Sequence, residues 1–161
     1  MVIIHTGAAI FAILCGILVL ILEKGTSTHK MIGKIYATAI LTLCVFSIFI
    51  QEINGGFSIF HLISIQTTVF VIAGLCALLL RNKLEHWYVW HLRFMLYSYV
   101  TLVVTGIAQA FEYLPFESGL LNAVVFIQAP AFVGWALIEF RGVPRWRGQF
   151  GSLSASSEDV S

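Results

Sequence analysis

Residues 59–80 decide the fold class of this protein, and they read IFHLISIQTTVFVIAGLCALLL before Arg81 and Lys83 end the run. The run holds no Lys, Arg, Asp or Glu. A helix of about 20 apolar residues is long enough to cross about 30 Å of hydrocarbon. In lipid, a helix satisfies its backbone polar groups within its own segment, and the run shows no strand-like alternation. It therefore predicts a transmembrane helix.

Four more apolar runs of similar length follow from the same criterion, at residues 2–22, 31–50, 94–111 and 119–138. The connectors between the five runs are short, which makes consecutive helices antiparallel neighbours. We predict an all-α fold, an integral membrane bundle of five transmembrane helices. Residues 1–147 form this transmembrane domain, and the Ser-rich residues 148–161 form a disordered cytoplasmic tail.

The composition supports a membrane protein and excludes several other classes. Of the 161 residues, 59% are apolar and 11% are charged, whereas soluble domains average roughly 45–50% and 25%. These values argue against a disordered chain, a nucleic-acid-binding module and a cytosolic enzyme domain. The first run lacks the basic start of a signal peptide, so we expect a retained helix.

The positions of the basic residues predict the orientation. With five spans, all nine fall on one side of the membrane: Lys24, Lys30, Lys34, Arg81, Lys83, Arg93, Arg141, Arg145 and Arg147. The connectors on the other side carry only Glu52, Glu112 and Glu117. The positive-inside rule then places the N-terminus outside and the C-terminus in the cytoplasm, which is the N-out/C-in topology.

Three of the five histidines lie on the predicted cytoplasmic side: His29 near the start of the second helix, and His86 and His91 before and at the start of the fourth. Imidazoles from two helices at one depth suit a haem between helices of a bundle. His86 and His91 are separated by about 140° around a helix, so both cannot face one haem. We expect His29 and His91 to face one another, with His86 outside the pair.

Nearby side chains fit the same hypothesis. Lys30, Lys34 and Arg93 lie close in sequence to these histidines and are predicted to pair with haem propionates. Met95 is one turn beyond His91 and is an alternative ligand. The competing interpretation is that interfacial histidines cap helix ends or reach toward water, without any cofactor.

The other two histidines, His5 and His61, fall on the predicted outer side with Glu52 at similar depth. Two histidines and a carboxylate are a common ligand set for a transition metal. A second haem is an alternative, although no Lys or Arg on this side would neutralise its propionates. A further alternative is a hydrogen-bonded cluster that orients the helix ends.

The stretch from Gly25 to Tyr36, GTSTHKMIGKIY, resembles the pattern G-[ST]-x-x-H-[KR]-x-x-G-[KR]-x-Y. That pattern is similar to one in a bacterial family of small multi-spanning membrane proteins of unknown function (DUF2306-like). His5-Thr6-Gly7 and His61 also match features of that family. The resemblance covers the first four helices and implies the bacterial cytoplasmic (inner) membrane. In outline, the two-sided histidine layout is also similar to the cytochrome b561 superfamily, which carries haem on both sides.

The functional hypothesis is a protein that binds haem b or a transition metal through histidines at the two membrane faces and serves transmembrane electron transfer. Its partners would be the lipid bilayer and a membrane redox partner or quinone, without nucleic acid, and an oligomer is compatible with the sequence. The alternative is a small transporter, or an accessory or assembly subunit of a membrane complex, with structural histidines. The spans lack a central acidic residue, which argues against ion-coupled transport, and no motif identifies a catalytic residue.

Overall fold

The computed structural model of the chain describes residues 2–48, 59–110, 121–122 and 124–147. These residues form five main helices, and the described part of the chain contains no strand. The helices are α1 (Val2–Ile21), α2 (Ser27–Ile48), α3 (Ile59–Leu79), α4 (Trp87–Ala110) and α5 (Val124–Arg147). The predicted all-α bundle of five helices is confirmed. The predicted tail, residues 148–161, lies outside the described residues.

Three of the helical segments are long and apolar enough to cross a bilayer: Ser27–Ser47, Phe60–Leu79 and Val124–Arg147. His5–Ile21 within α1 is a shorter apolar helix. The fourth helix extends over 24 residues but carries Arg93 and several hydroxyl groups among its apolar residues. Lengths and compositions of this kind are those of membrane-spanning helices.

Two helices begin earlier than the hydrophobic pattern predicts. The second begins at Ser27 rather than residue 31, because the Thr26 hydroxyl accepts a hydrogen bond from the His29 backbone N–H at 3.2 Å and caps the helix. The fourth begins at Trp87 rather than residue 94, where the His86 carbonyl accepts from the Val89 N–H at 2.9 Å. His91 therefore lies one turn inside its helix and not at its entrance.

The fifth helix is also longer than predicted, since it continues to Arg147 rather than ending at residue 138. Two π-helical segments, Val124–Gln128 and Ile138–Gly142, flank its α-helical centre. Pro130 lies just after the first segment and has no N–H to donate, which favours a widened turn before it. The second segment rotates the residues that follow it relative to a regular α-helix.

The first four helices form a closed ring. The first helix packs against α2 and α4, and α3 packs against the same two helices. This order places α1 diagonally opposite α3, and α2 diagonally opposite α4. The fifth helix packs outside the ring, mainly against α4. The centre of the ring is filled by buried side chains that include Ala12, Cys15, Tyr36, Ile40, Val71 and Leu102.

Glycines allow the closest helix contacts in the bundle. A Cβ atom at Gly74 of α3 would lie 2.9 Å from Met95 Sδ of α4. A Cβ atom at Gly134 of α5 would lie 2.6 Å from Val100 Cγ1 of α4. These two positions fix how closely the neighbouring helices approach α4, on opposite sides of that helix.

Candidate functional site

The basic end of the bundle is the end where Lys24, His29, His91 and Arg93 lie. The antiparallel order of the helices brings the end of α1, the start of α2, the end of α3 and the start of α4 to this level. Polar side chains from separate parts of the sequence therefore meet here. The predicted assignment of this end to the cytoplasm stays a prediction.

Lys24 caps the C-terminus of α1. Its Nζ donates to the carbonyl oxygens of Val19 at 2.8 Å, Leu20 at 2.7 Å and Leu22 at 3.1 Å. A cation at a helix C-terminus satisfies free carbonyl groups and interacts favourably with the helix dipole. Partial burial lowers the pKa of the Lys24 ammonium from its ordinary value. The contacts hold this charge beside the start of α2.

His91 has a defined ring orientation. Its Nδ1 lies 2.9 Å from the carbonyl oxygen of Gly74 on α3. A carbonyl oxygen only accepts hydrogen bonds, so Nδ1 must carry the proton and donate it. In the neutral ring this leaves Nε2 with a free lone pair. Metal-binding histidines are commonly held in this way, with one nitrogen donating to a backbone carbonyl and the other on the metal.

His29 lies in the first turn of α2, with its ring beside the Val19 carbonyl. Its Nδ1 atom is buried and has no hydrogen-bond partner among the described residues. The His29 ring interacts electrostatically with the His91 ring and with the Lys24 ammonium. Both histidines thus lie at the basic end, on the diagonally opposite helices α2 and α4, and their facing one another stays a prediction.

His86 occupies a different place from the other two histidines of this end. Its side chain is half exposed, with Nε2 3.4 Å from Glu85 Oε1 and Nδ1 3.4 Å from the Tyr88 hydroxyl. The backbone at His86 is left-handed, with φ of 54°, where α4 begins. His86 therefore serves as the N-terminal cap of α4 and lies outside the His29–His91 pair.

Arg93 is engaged on another face of α4. Its Nε lies 2.7 Å from Glu139 Oε1, and its Nη2 donates to Glu139 Oε2 at 2.8 Å. The Tyr97 hydroxyl also donates to Glu139 Oε1, and the guanidinium stacks 4.7 Å from the Trp90 ring centre. The structure thus pairs the predicted propionate partner Arg93 with Glu139 of α5, whereas Lys30 is exposed on α2.

Aromatic side chains surround the Arg93–Glu139 pair. The ring centres of Phe70, Tyr97 and Trp135 lie 5.3–5.8 Å apart, which links α3, α4 and α5. Phe94 stacks between Trp90 and Phe70, at 5.8 Å and 6.4 Å. Such apolar surroundings keep water away and strengthen the attraction between the two charges. We call these five rings the aromatic cluster.

Several residues of this region were not identified from the sequence. Glu139 was placed just beyond the predicted end of the fifth span, so its pairing with Arg93 was not anticipated. A Glu–Phe–Arg sequence directly after an apolar run was the only signal for it. The role of Gly74 had no sequence signal at all, because a backbone carbonyl gains its partner only through the packing of α3 against α4.

The predicted outer site is described only in part. His5 lies on α1, and its Nδ1 is buried without a hydrogen-bond partner among the described residues. His61 is buried on α3, where its side chain has an interaction, and Glu52 lies outside the described residues. Within the described ranges, no group of three or more His, Cys, Asp or Glu side chains could hold a metal ion. A metal site at His5 and His61 stays a prediction.

The match to a family profile extends over residues 2–138, and so includes the Thr26 cap, the three histidines of the basic end and most of α5. The chain belongs to the DUF2306 family of predicted membrane proteins. The DUF2306 resemblance of the sequence is confirmed, and the likeness to the cytochrome b561 superfamily is not shown. No curated protein and no solved structure matches this DUF2306 chain. The protein is an integral membrane protein, and the family description gives no activity.

Proposed function

We propose that this DUF2306 protein holds a metal centre, either haem b iron or a transition-metal ion, between His29 and His91. The observation that carries the proposal is the hydrogen bond between His91 Nδ1 and the Gly74 carbonyl at 2.9 Å. That bond fixes the tautomer in which Nε2 is free to donate its lone pair to a metal. A histidine that only capped a helix would need no such constraint.

The position of His29 supports the same conclusion. Its ring lies at the same end of the bundle as His91, and the two rings interact electrostatically. Two imidazoles from separate helices at one depth are a common way to hold a metal centre in a helical bundle. The buried, unpartnered Nδ1 of His29 leaves one ring nitrogen without a protein partner among the described residues. A Cβ atom at Gly33, one turn further along α2, would meet no atom within 4 Å. No described side chain therefore packs directly against Gly33, which lies one turn from His29 on α2.

The ion pair and hydrogen bonds that already engage Arg93 and Lys24 at the basic end also limit which ligand can bind there. Arg93 is already paired with Glu139 and Lys24 with the end of α1, whereas Lys30 is exposed and available to a propionate. Lys34 is also exposed, but it faces about 140° away from His29 around α2. A metal ion bound by two imidazoles needs fewer cations than haem. When bound, a redox-active centre would supply electron exchange with a membrane redox partner or quinone, and the chain would fix its position and exclude water.

The test uses the full-length protein, purified in detergent after expression with added haem precursor, and measures its visible spectrum and metal content. We expect either a Soret band that dithionite shifts, or copper or zinc in a ratio of about one per chain. A colourless protein without bound metal would contradict the proposal and favour an accessory or assembly subunit.

Three variants separate the paired histidines from the capping one. We expect His29→Ala and His91→Ala each to remove most of the bound centre, because each deletes a proposed ligand. The matched control is His86→Asn, since asparagine tolerates the left-handed backbone of that position better than alanine does. The control should retain the centre. Equal retention by all three variants would show that the histidines share no ligand.

A further inference from the structure

A groove lies between α1 and α2 on the outer surface of the ring, apart from the histidine pair. Its volume is about 370 Å³, and it is shallow and open to the surface. Lys34 and His29 are five residues apart on α2, or about 140° around the helix, so they face different directions. The groove is lined by Phe11, Lys34, Ile35, Thr38 and Ala39.

The polarity of the groove changes in a definite order along α2. Lys34 lies nearest the basic end, and Thr38 follows one turn deeper, about 6 Å further along the helix. The other lining residues are apolar, and Phe11 of α1 exposes 52% of its surface. Ile35 lies at nearly the depth of Lys34, and Ala39 at nearly the depth of Thr38. The groove thus offers a cation nearer the basic end and a mainly apolar surface with one hydroxyl deeper in the bundle, which match the phosphate and the ester and acyl part of a phospholipid.

The charge of Lys34 is available to a ligand. The salt bridges found in the described part of the chain involve His86 and Arg93, and neither includes Lys34. Lys30 is exposed one turn nearer the basic end and adds a second positive charge along the same helix. Lysines near the end of a membrane helix extend toward the headgroups while their methylene chains stay on apolar surface. Basic sites between helices are known to bind anionic headgroups.

We propose that this groove binds one anionic phospholipid, with its phosphate at Lys34 and one acyl chain against Phe11 and Ala39. The Thr38 hydroxyl would donate to an ester carbonyl of the lipid. A second copy of this chain fits less well, because a symmetric interface would bring two Lys34 charges to one apolar surface. The proposal does not depend on a metal centre at the histidines.

The experiment reconstitutes the full-length protein in nanodiscs that hold equal amounts of phosphatidylglycerol and phosphatidylcholine with identical acyl chains. Native mass spectrometry then counts the lipids that stay bound when the protein is released. We expect the wild type to retain phosphatidylglycerol in preference to phosphatidylcholine. Lys34→Gln should reduce that preference about fivefold, the factor for about 1 kcal/mol per lysine. The matched control is Lys83→Gln, which removes an exposed lysine outside the groove.

A second variant tests the apolar part of the groove. Thr38→Phe should fill it and lower the retention of both lipids, while exposure of residue 38 lets the helix keep its packing. Equal retention of the two lipids by the wild type would overturn the proposal, as would equal behaviour of Lys34→Gln and Lys83→Gln. If Thr38→Phe instead separates a dimer and leaves the lipid count unchanged, the groove is an interface between copies and the lipid proposal is wrong.

Discussion

The two faces of α4 at the basic end differ in how far their polar groups are satisfied by other protein groups. On the face toward α5, the Arg93 guanidinium, the Glu139 carboxylate and the Tyr97 hydroxyl contact one another inside the aromatic cluster. On the face toward the ring, His91 has one nitrogen fixed by Gly74, and His29 has a buried nitrogen without a partner in the described part of the chain. On the first face, Arg93, Glu139 and Tyr97 satisfy one another. On the second face, one ring nitrogen of His29 has no protein partner in the described part of the chain and could accept a ligand.

This difference suggests which face stabilises the fold and which serves function. The charges and hydrogen bonds of Arg93, Glu139 and Tyr97 hold α5 against α4. Within the same cluster, Trp135 Nε1 is buried without a hydrogen-bond partner among the described residues. Buried polar atoms without partners cost free energy in a stable fold and mark places where a ligand or water completes the structure. We therefore expect changes on the α5 face to lower stability, and changes on the ring face to alter binding.

The largest effect on stability is expected from Glu139→Leu, which leaves Arg93 and Tyr97 without their acceptor. The loss should be about 2 kcal/mol in an SDS unfolding titration, less than the ~3–5 kcal/mol of a fully buried pair. The reduction follows because the Glu139 side chain keeps 35% of its surface exposed. The double variant Arg93→Met with Glu139→Leu should recover most of the loss. If the double variant did not recover the lost free energy of unfolding, the pair would stabilise the protein by more than the neutralisation of the Arg93 charge.

An effect of similar size, on metal binding rather than on stability, is expected from Gly74→Ala. The new Cβ would lie 2.9 Å from Met95 Sδ, so the Met95 side chain must move. We expect this repacking between α3 and α4 to lengthen the hydrogen bond between the Gly74 carbonyl and His91. Loss of such an outer contact typically weakens metal binding about 10–100-fold. Metal titration of the purified protein measures the change. Adding Met95→Ala should restore binding, and an unchanged affinity in Gly74→Ala alone would separate Gly74 from the site.

The smallest effect is expected from Lys24→Met, which keeps the length of the side chain and removes its three donors. The end of α1 would lose a cap worth about 1 kcal/mol in the same SDS titration. Lys83→Met provides the control, because Lys83 is exposed and should leave stability within about 0.5 kcal/mol of the wild type. If both variants behave alike, the Lys24 contacts contribute nothing measurable to the bundle.

The fold was predictable because the hydropathy of each segment can be read directly from the sequence. Each apolar run had to bury its backbone polar groups in a helix of its own, which determined the number of helices and their approximate positions. The ends of the helices were less predictable, since hydropathy ignores caps. The cap at Thr26 and the backbone at His86 start α2 and α4 closer to the basic end than predicted. The π-helical segment Ile138–Gly142 continues α5 beyond its predicted end.

The candidate site was predictable in its depth only. The sequence placed His29 and His91 toward one end of the bundle, but the predicted separation of about 140° around a helix does not apply to His86, because α4 begins at Trp87 and the backbone at His86 is left-handed. The sequence could not assign Arg93, because its partner Glu139 is 46 residues away and becomes a neighbour only when α5 packs on α4. Nor could it identify the Gly74 carbonyl as a partner of His91, since every residue carries the same backbone group.

The sequence by itself determined that this protein is a bundle of membrane helices with its basic residues and three histidines toward one end. It did so because length and hydropathy are properties of single segments. The tertiary structure alone decided which polar groups face one another, through the cyclic order of α1 to α4 and the position of α5 outside the ring. Hydrogen bonds and ion pairs act over a few ångströms, so they depend on helix rotation and contact, which no single segment specifies.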